Sequence, residues 1–440
     1  MGAWQENTPF CHAVRIWGWI AKRMSTSRLL EECSFYNIGT ICISFEKSMI
    51  DSSNGLIDEG CAVSFHEYFH LVQNTSTIFG LWMFMNKLEI FQDYAYASRR
   101  NNDINKFNYP IKKTKTKYAD AIESLERVLF ENGKISFSKE TTFVGFGKTI
   151  SIPLISDGDK GLYAMITAEY QNEGESFEYS ITARSLYEAY SKAVEYEITL
   201  PFSREQIISN YGQFEYYAVR LILEHFFPNI REKTVATILH WSLNHVMPSD
   251  FFKKIVLHLS CVYGSNLPSA QDVSKELKEF YDDNCYEMHI DLLNELKKKI
   301  DAEFKEKDNV LGPVLDDIYK LYEENFKYFS DSSKIPSLTL YPFVTTTTPM
   351  YTNACEIPIP LYKPLNEDIF FTMSKKPIGN FITLDALFFV LDKAQRGILN
   401  YVECPYYRNC TISQKGKECR KHLSKIRKNC HIGVAMKYFV

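Results

Sequence analysis

The 440-residue sequence predicts an α+β fold in two parts: a small sheet packed on helices over residues 1–200, then a mostly α-helical half over 201–440. Three observations predict it. Runs rich in β-branched and aromatic residues lie before residue 170, whereas helical periodicity dominates from Thr182 almost to the end. The length exceeds one ordinary domain. A content of 45% hydrophobic and 15% aromatic residues can bury a large core, which excludes a disordered or fibrous chain.

Taken in order, residues 35–45 read as a strand, and the polar run Asp51–Asn54 with Gly55 as the turn after it. A helical pattern starts at Asp58 and runs to about Gly80, where Thr75, Ser76, Thr77 and the glycine favour a break before a second helix over Leu81–Ser98. Residues 102–117 read as a polar loop and 118–132 as a helix. Short β-type runs follow at Lys134–Ser138, Thr142–Phe146, Thr149–Ile155 and Tyr163–Glu169, punctuated by Gly158, Gly161 and a turn at Asn172-Glu173-Gly174. Ser203 with Gln206 three residues later makes a capping box for a helix that Pro228 stops after Phe227. Further helices are expected at 231–246, 249–263, 269–305 and 311–329, and an extended or irregular stretch at 335–364.

The formal charge is −4, but it is unevenly spread: the tail 404–440 carries nine Lys or Arg against Glu418 alone, so it is +8 and the remainder −12. The longest apolar stretch, Ile78–Met85, is far below the roughly 18 residues that cross a bilayer, so no membrane span is expected. Glu6 and the short apolar run Val14–Ala21, closed by Lys22 and Arg23, do not make a secretory signal. The 11 cysteines, mostly scattered singly, point to a reducing, cytoplasmic setting rather than a disulfide framework.

The residues that carry chemistry are His66-Glu67-Tyr68-Phe69-His70, within a helical pattern whose Ala62, Val63, Phe65, Phe69, Leu71 and Val72 would bury it. A spacing of four puts both imidazoles on one helix face, one turn apart, where both can bind one Zn²⁺. Glu67 is then placed to take a proton from water beside the metal and return it to a leaving group. Such a site needs a third protein ligand and an open fourth position. Metzincins continue with a glycine and a third histidine where this chain has Gln73 and Ser76, so that subclass is excluded and a carboxylate is expected. Glu89 lies about 28 Å beyond His70 along a continuous helix, and serves only if the chain reverses near Gly80. Glu188 is the better candidate: Glu195 shares its helix face, and the small Ala189 and Ser191 allow close approach to the first helix.

The run from His66 to Gln73 resembles the H-E-Y-x-H-x-x-Q form found in the zincin superfamily, including many uncharacterised bacterial H-E-x-x-H proteins. Glu188-Ala189-Tyr190-Ser191 is similar to the E-G-x-A helix motif of gluzincins. The resemblance covers roughly residues 35–200. It implies a zincin-like catalytic half with its small sheet packed on the H-E-x-x-H helix, His66, His70 and Glu188 as zinc ligands, and Glu67 as general base. Two departures stand out. Glu188 lies 118 residues beyond His70, a longer gap than in compact gluzincins, and Lys192 replaces the Asp with which thermolysin-like members orient a ligand. Glu195 is the candidate substitute, and His240, His245, Tyr179 and Tyr211 are candidate oxyanion donors.

Cys404, Cys410, Cys419 and Cys430 stand in the last 37 residues with spacers of five, eight and ten. Basic neighbours favour thiolates, so zinc or an iron–sulfur cluster is one reading of this tail; reduced structural thiols or disulfides are the others, and no C-x-x-C knuckle is present. The basic tail also permits nucleic-acid binding, though no base-reading motif accompanies it. The expected function is a cytoplasmic zinc metallopeptidase acting on a peptide or protein. The alternatives are a zincin-fold binding or regulatory protein without catalysis, and a nucleic-acid-associated factor acting through the tail.

Overall fold

The computed structural model describes residues 34–36, 42–45, 50–51, 55–56, 69–70, 72–99, 138, 140–155, 160–199, 214–305, 311–329, 361–364, 383, 386–387, 389–390, 393, 401–407, 418–423 and 430–439. Their strands are β1 (Ser34–Tyr36), β2 (Cys42–Phe45), β3 (Ile50–Asp51), β4 (Gly55–Leu56), β5 (Thr142–Ile155), β6 (Lys160–Asn172), β7 (Glu175–Ile181) and β8 (Leu361–Pro364). Their helices are α1 (residues 69–70 and 72–76), α2 (Ile78–Arg99), α3 (Ala183–Thr199), α4 (Phe214–Phe226), α5 (Glu232–Leu243), α6 (Pro248–Tyr263), α7 (Ala270–Lys299), α8 (Leu311–Phe329), α9 (Glu418–Lys421) and α10 (His431–Phe439). The described chain is thus mixed and mostly helical, with a three-stranded antiparallel sheet, β5-β6-β7, compatible with the α+β class.

That sheet differs from the expected short runs. Thr142–Ile155 is a single strand, because the register slips between Phe143 and Gly145 and between Phe146 and Thr149 absorb extra residues without breaking the pairing to β6. The tight connection from β6 to β7 lies where the Asn172-Glu173-Gly174 turn is expected. Glu173 and Gly174 both adopt positive φ, 51° and 88°, as a two-residue type I′ hairpin requires, and Asn172 pairs with Glu175. One sheet face is aromatic: Tyr170, Phe177 and Tyr179 surround Phe214 at centroid distances of 4.8, 5.3 and 4.9 Å, and the Tyr170 hydroxyl donates to the Ala218 carbonyl at 3.0 Å.

The region over residues 35–45 holds parts of two strands rather than one: β1 pairs antiparallel with β2. On its other side β2 pairs parallel with β8, from the stretch expected to be extended or irregular. β3 pairs antiparallel with β4, with Asp51 opposite Gly55, while residues 52–54 of the expected turn lie outside the described residues. In the C-terminal half, α5 to α8 fall within or close to the four expected spans, with Ile300–Lys305 continuing α7 as a π-helical end. Ser269 caps α7, accepting from the Asp272 N–H at 3.3 Å. One hydrophobic core runs from Phe69 in α1 to Met436 in α10, through residues on both sides of position 200. Among the described residues, no helix is long and apolar enough to cross a membrane.

Candidate metal centre

The sheet delivers the chain to the site. Strand β7 ends at Ile181, and Thr182 with Ser185 closes the start of α3 reciprocally: the Ser185 N–H donates to Thr182 Oγ1 at 3.3 Å and the Thr182 N–H to Ser185 Oγ at 3.4 Å. Glu188 follows within two turns, on a helix whose Ala183, Leu186, Tyr187, Ala189 and Tyr190 are all buried. Glu188 itself is only 9% exposed. Against this end of α3 lies α1, whose Phe69 meets Tyr190 edge-on at 5.3 Å and whose His70 stacks on Tyr187 at 6.0 Å.

His70 and Glu188 meet. Nε2 of His70 is 3.4 Å from Oε2 of Glu188, and both residues are buried. Nδ1 of the same ring faces Gln73 Oε1 at 2.9 Å and Ser191 Oγ at 3.2 Å. Gln73 donates from its amide nitrogen to the Tyr187 carbonyl at 3.1 Å and to Ser191 Oγ at 3.2 Å, and the Tyr187 hydroxyl donates to Asn74 Oδ1 at 2.9 Å. On the far side of Glu188, its Oε1 lies 3.7 Å from Arg184 Nε, and Arg184 Nη2 donates to the buried Glu215 at 3.0 Å. Burial works against the Arg184 charge, but Glu188 and Glu215 outweigh it and raise its pKa above the ordinary arginine value.

The donor chemistry fits zinc. Two ligand atoms, each at the usual 2.0 to 2.1 Å from a tetrahedral zinc, stand about 3.4 Å apart, which matches the separation of His70 Nε2 and Glu188 Oε2. An imidazole nitrogen and a carboxylate oxygen, drawn together in a buried setting, are the donors such a metal takes. His66 and Glu67 lie outside the described residues, and among the described residues no group of three His, Cys, Asp or Glu is disposed to hold a metal.

The remaining sequence candidates separate clearly. Glu89 is half-exposed and pairs with the largely buried Lys299. Lys192 holds its ammonium 5.7 Å from the Tyr216 ring centre. The Glu195 side chain, Tyr211 and Cys410 lie outside the described residues. His240 is fully buried with Nδ1 3.3 Å from the Tyr190 hydroxyl, and burial pushes its pKa down to about 3. His245 accepts from the Met247 N–H at 2.9 Å and is lowered to about 4, chiefly by burial. Tyr179 is buried beside Phe214, and burial raises its pKa. In the tail, Cys404 is buried and Cys419 and Cys430 are half-buried; the Cys404 N–H donates to the Cys419 carbonyl at 2.8 Å.

In the sequence, Gln73 closes the H-E-Y-x-H-x-x-Q run and departs from the metzincin pattern, and Ser191 is a small residue that closes the Glu188 run, but neither receives a role there. The signal that finds both is spacing: each stands three residues after a candidate ligand on the same helix face, His70 and Glu188 respectively. Comparison of the chain with protein-family models, with curated proteins and with solved structures finds no match in any of the three.

Proposed function

We propose that the chain is a cytoplasmic zinc-dependent metallohydrolase with a zincin-like N-terminal half, cleaving an amide bond in a peptide or protein substrate. The observation that carries this reading is the meeting of His70 Nε2 and Glu188 Oε2 at 3.4 Å, which brings two donor types that zinc takes to one buried place from positions far apart in sequence, one of them in the H-E-x-x-H run. Helix spacing supports His66 as the third ligand. Zinc held there would polarise the scissile carbonyl and acidify water. Glu67 takes the proton from the attacking water and passes it to the leaving amine. Arg184 and Glu215 hold Glu188 from behind, so that its Oε2 stays turned toward His70.

Elemental analysis of protein purified without chelators tests the reading. About one zinc per chain should be present in the wild type and lost in both His70→Ala and Glu188→Ala. A metal that persists in both variants would belong to the tail cysteines. Glu67→Gln should keep the zinc and lose hydrolysis of a peptide library. A wild-type protein without zinc, or a Glu67→Gln variant with full activity, would sink the proposal.

A further inference from the structure

A backbone carbonyl can only accept a hydrogen bond. The end of Gln73 that faces the Tyr187 carbonyl at 3.1 Å is therefore its NH₂ group, whichever way the amide is first drawn. Its two hydrogens go to the Tyr187 carbonyl and to Ser191 Oγ, and the amide oxygen is left for His70 Nδ1 at 2.9 Å. The amide oxygen can only accept, so Nδ1 carries a proton at 2.9 Å, and Nε2, turned toward Glu188 at the longer 3.4 Å, is the nitrogen left to offer a lone pair to a metal. Gln73 is completely buried, and each of its side-chain polar groups is engaged in this arrangement.

We infer that Gln73 is the positioning residue of the metal centre: one amide fixes the His70 tautomer and, through the carbonyl of Tyr187 and the hydroxyl of Ser191, ties α1 to the turn of α3 that carries Glu188. It thereby sets both the direction of one ligand and its separation from the other. A carboxylate at this place could orient the histidine but could not donate to Tyr187, which explains an amide where ligand histidines commonly meet an acid. Ser191 assists by accepting from Gln73 and lying 3.2 Å from His70 Nδ1. The inference rests on the metal reading for its zinc readout, but its tautomer readout does not.

The test uses Gln73→Met, which keeps length and removes every hydrogen bond, with Ser76→Ala as a control, because the Ser76 hydroxyl bonds the Val72 carbonyl of its own helix. Zinc affinity is measured by chelator competition, and the His70 ring is followed by NMR of ¹⁵N-histidine-labelled, metal-free protein, assigned with a His70→Gln variant. Gln73→Met should weaken zinc binding by about 10- to 100-fold and abolish the Nδ1–H signature, while Ser76→Ala leaves both unchanged. Ser191→Ala, a milder change that stands in if Gln73→Met does not fold, should weaken binding about three- to tenfold. Unchanged affinity together with an unchanged Nδ1–H signature in either Gln73→Met or Ser191→Ala overturns the inference. If the wild type binds no zinc, the metal reading fails alone, and loss or retention of the tautomer signature in the metal-free proteins still decides the role of Gln73.

Discussion

Gly80 sets two opposing effects against each other, and the structure says which wins. In a helix interior, alanine is better than glycine by about 1 kcal/mol, so propensity alone makes Gly80→Ala stabilising. Here the bend between α1 and α2 presses the start of α2 onto Asn74. A Cβ on Gly80 would lie 2.1 Å from the Asn74 carbonyl oxygen, 2.5 Å from its carbon and 2.6 Å from its Cα. All three are backbone atoms, so no side chain can swing aside. Relief to an ordinary contact of 3.4 Å requires a shift of about 1.3 Å. That shift strains the bonds that close the bend: Ile78 N–H to Asn244 Oδ1, Asn325 Nδ2 to the Thr75 carbonyl and the Tyr322 hydroxyl to the Gly80 carbonyl. Overpacking costs typically about 1–3 kcal/mol, and the upper end applies against backbone. Gly80→Ala should therefore be destabilising by about 1–2 kcal/mol net, read as a lower urea midpoint by fluorescence and near-UV signals from Trp82, which stacks on Tyr163. Because Asn74 adjoins Gln73, zinc affinity should fall as well. An unchanged or raised midpoint would refute the argument.

Three further outcomes follow from other parts of the molecule. Glu89→Ala should leave zinc content and hydrolysis intact but cost about 1–3 kcal/mol, because it takes the carboxylate away from the largely buried Lys299 ammonium; loss of metal would return Glu89 to the ligand set. His289 stacks on Phe326, and burial lowers its pKa from the ordinary 6.5 to about 3, so the unfolded chain takes up protons below pH 6.5 that the folded protein refuses. Its stabilising contribution is whole above pH 6.5 and is lost as the pH falls toward 3, so His289→Phe should flatten the stability slope between about pH 6 and 4 by about 1.4 kcal/mol per unit; an unaltered slope in urea titrations would count against a buried neutral ring. Tyr187→Phe removes the hydroxyl that donates to Asn74 Oδ1, on an amide whose nitrogen has no hydrogen-bond partner among the described residues, and should cost about 1–3 kcal/mol; since the Tyr187 carbonyl remains for Gln73, zinc content should stay, and a melting temperature equal to wild type would contradict the hydrogen-bond assignment.

The sequence made part of this architecture legible because some signals are local. Helical periodicity and Pro228 mark the C-terminal helices, and the Asn172-Glu173-Gly174 run marks its turn. The proximity of Glu188 to the histidine helix was legible through chemistry, since a carboxylate flanked by small residues is what close approach requires. Strand β7 escaped because Glu175-Ser-Phe-Glu-Tyr-Ser-Ile181 mixes two acids and two serines into an edge strand, whose outward positions remain exposed. The pairing of β8 with β2 escaped because no local pattern specifies a partner so far along the chain. The role of Gln73 escaped because an amide reveals its role only through what it touches: in sequence it is one of several polar residues between His70 and Ser76, and its partners Tyr187 and Ser191 lie on another element.

The parallel pairing of β2 with β8 also imposes an order on the making of the protein. Cys42–Phe45 leaves the ribosome early, yet Leu361–Pro364 is synthesised about three hundred residues later. At typical elongation rates of about 5–20 residues per second, that is a wait of roughly 15 to 60 s. Throughout that interval one side of β2 offers unpaired backbone amides and carbonyls to any neighbouring chain. A stalled or prematurely ended translation product would thus be sticky in a way the finished protein is not, and the nascent chain has reason to engage a chaperone until β8 arrives.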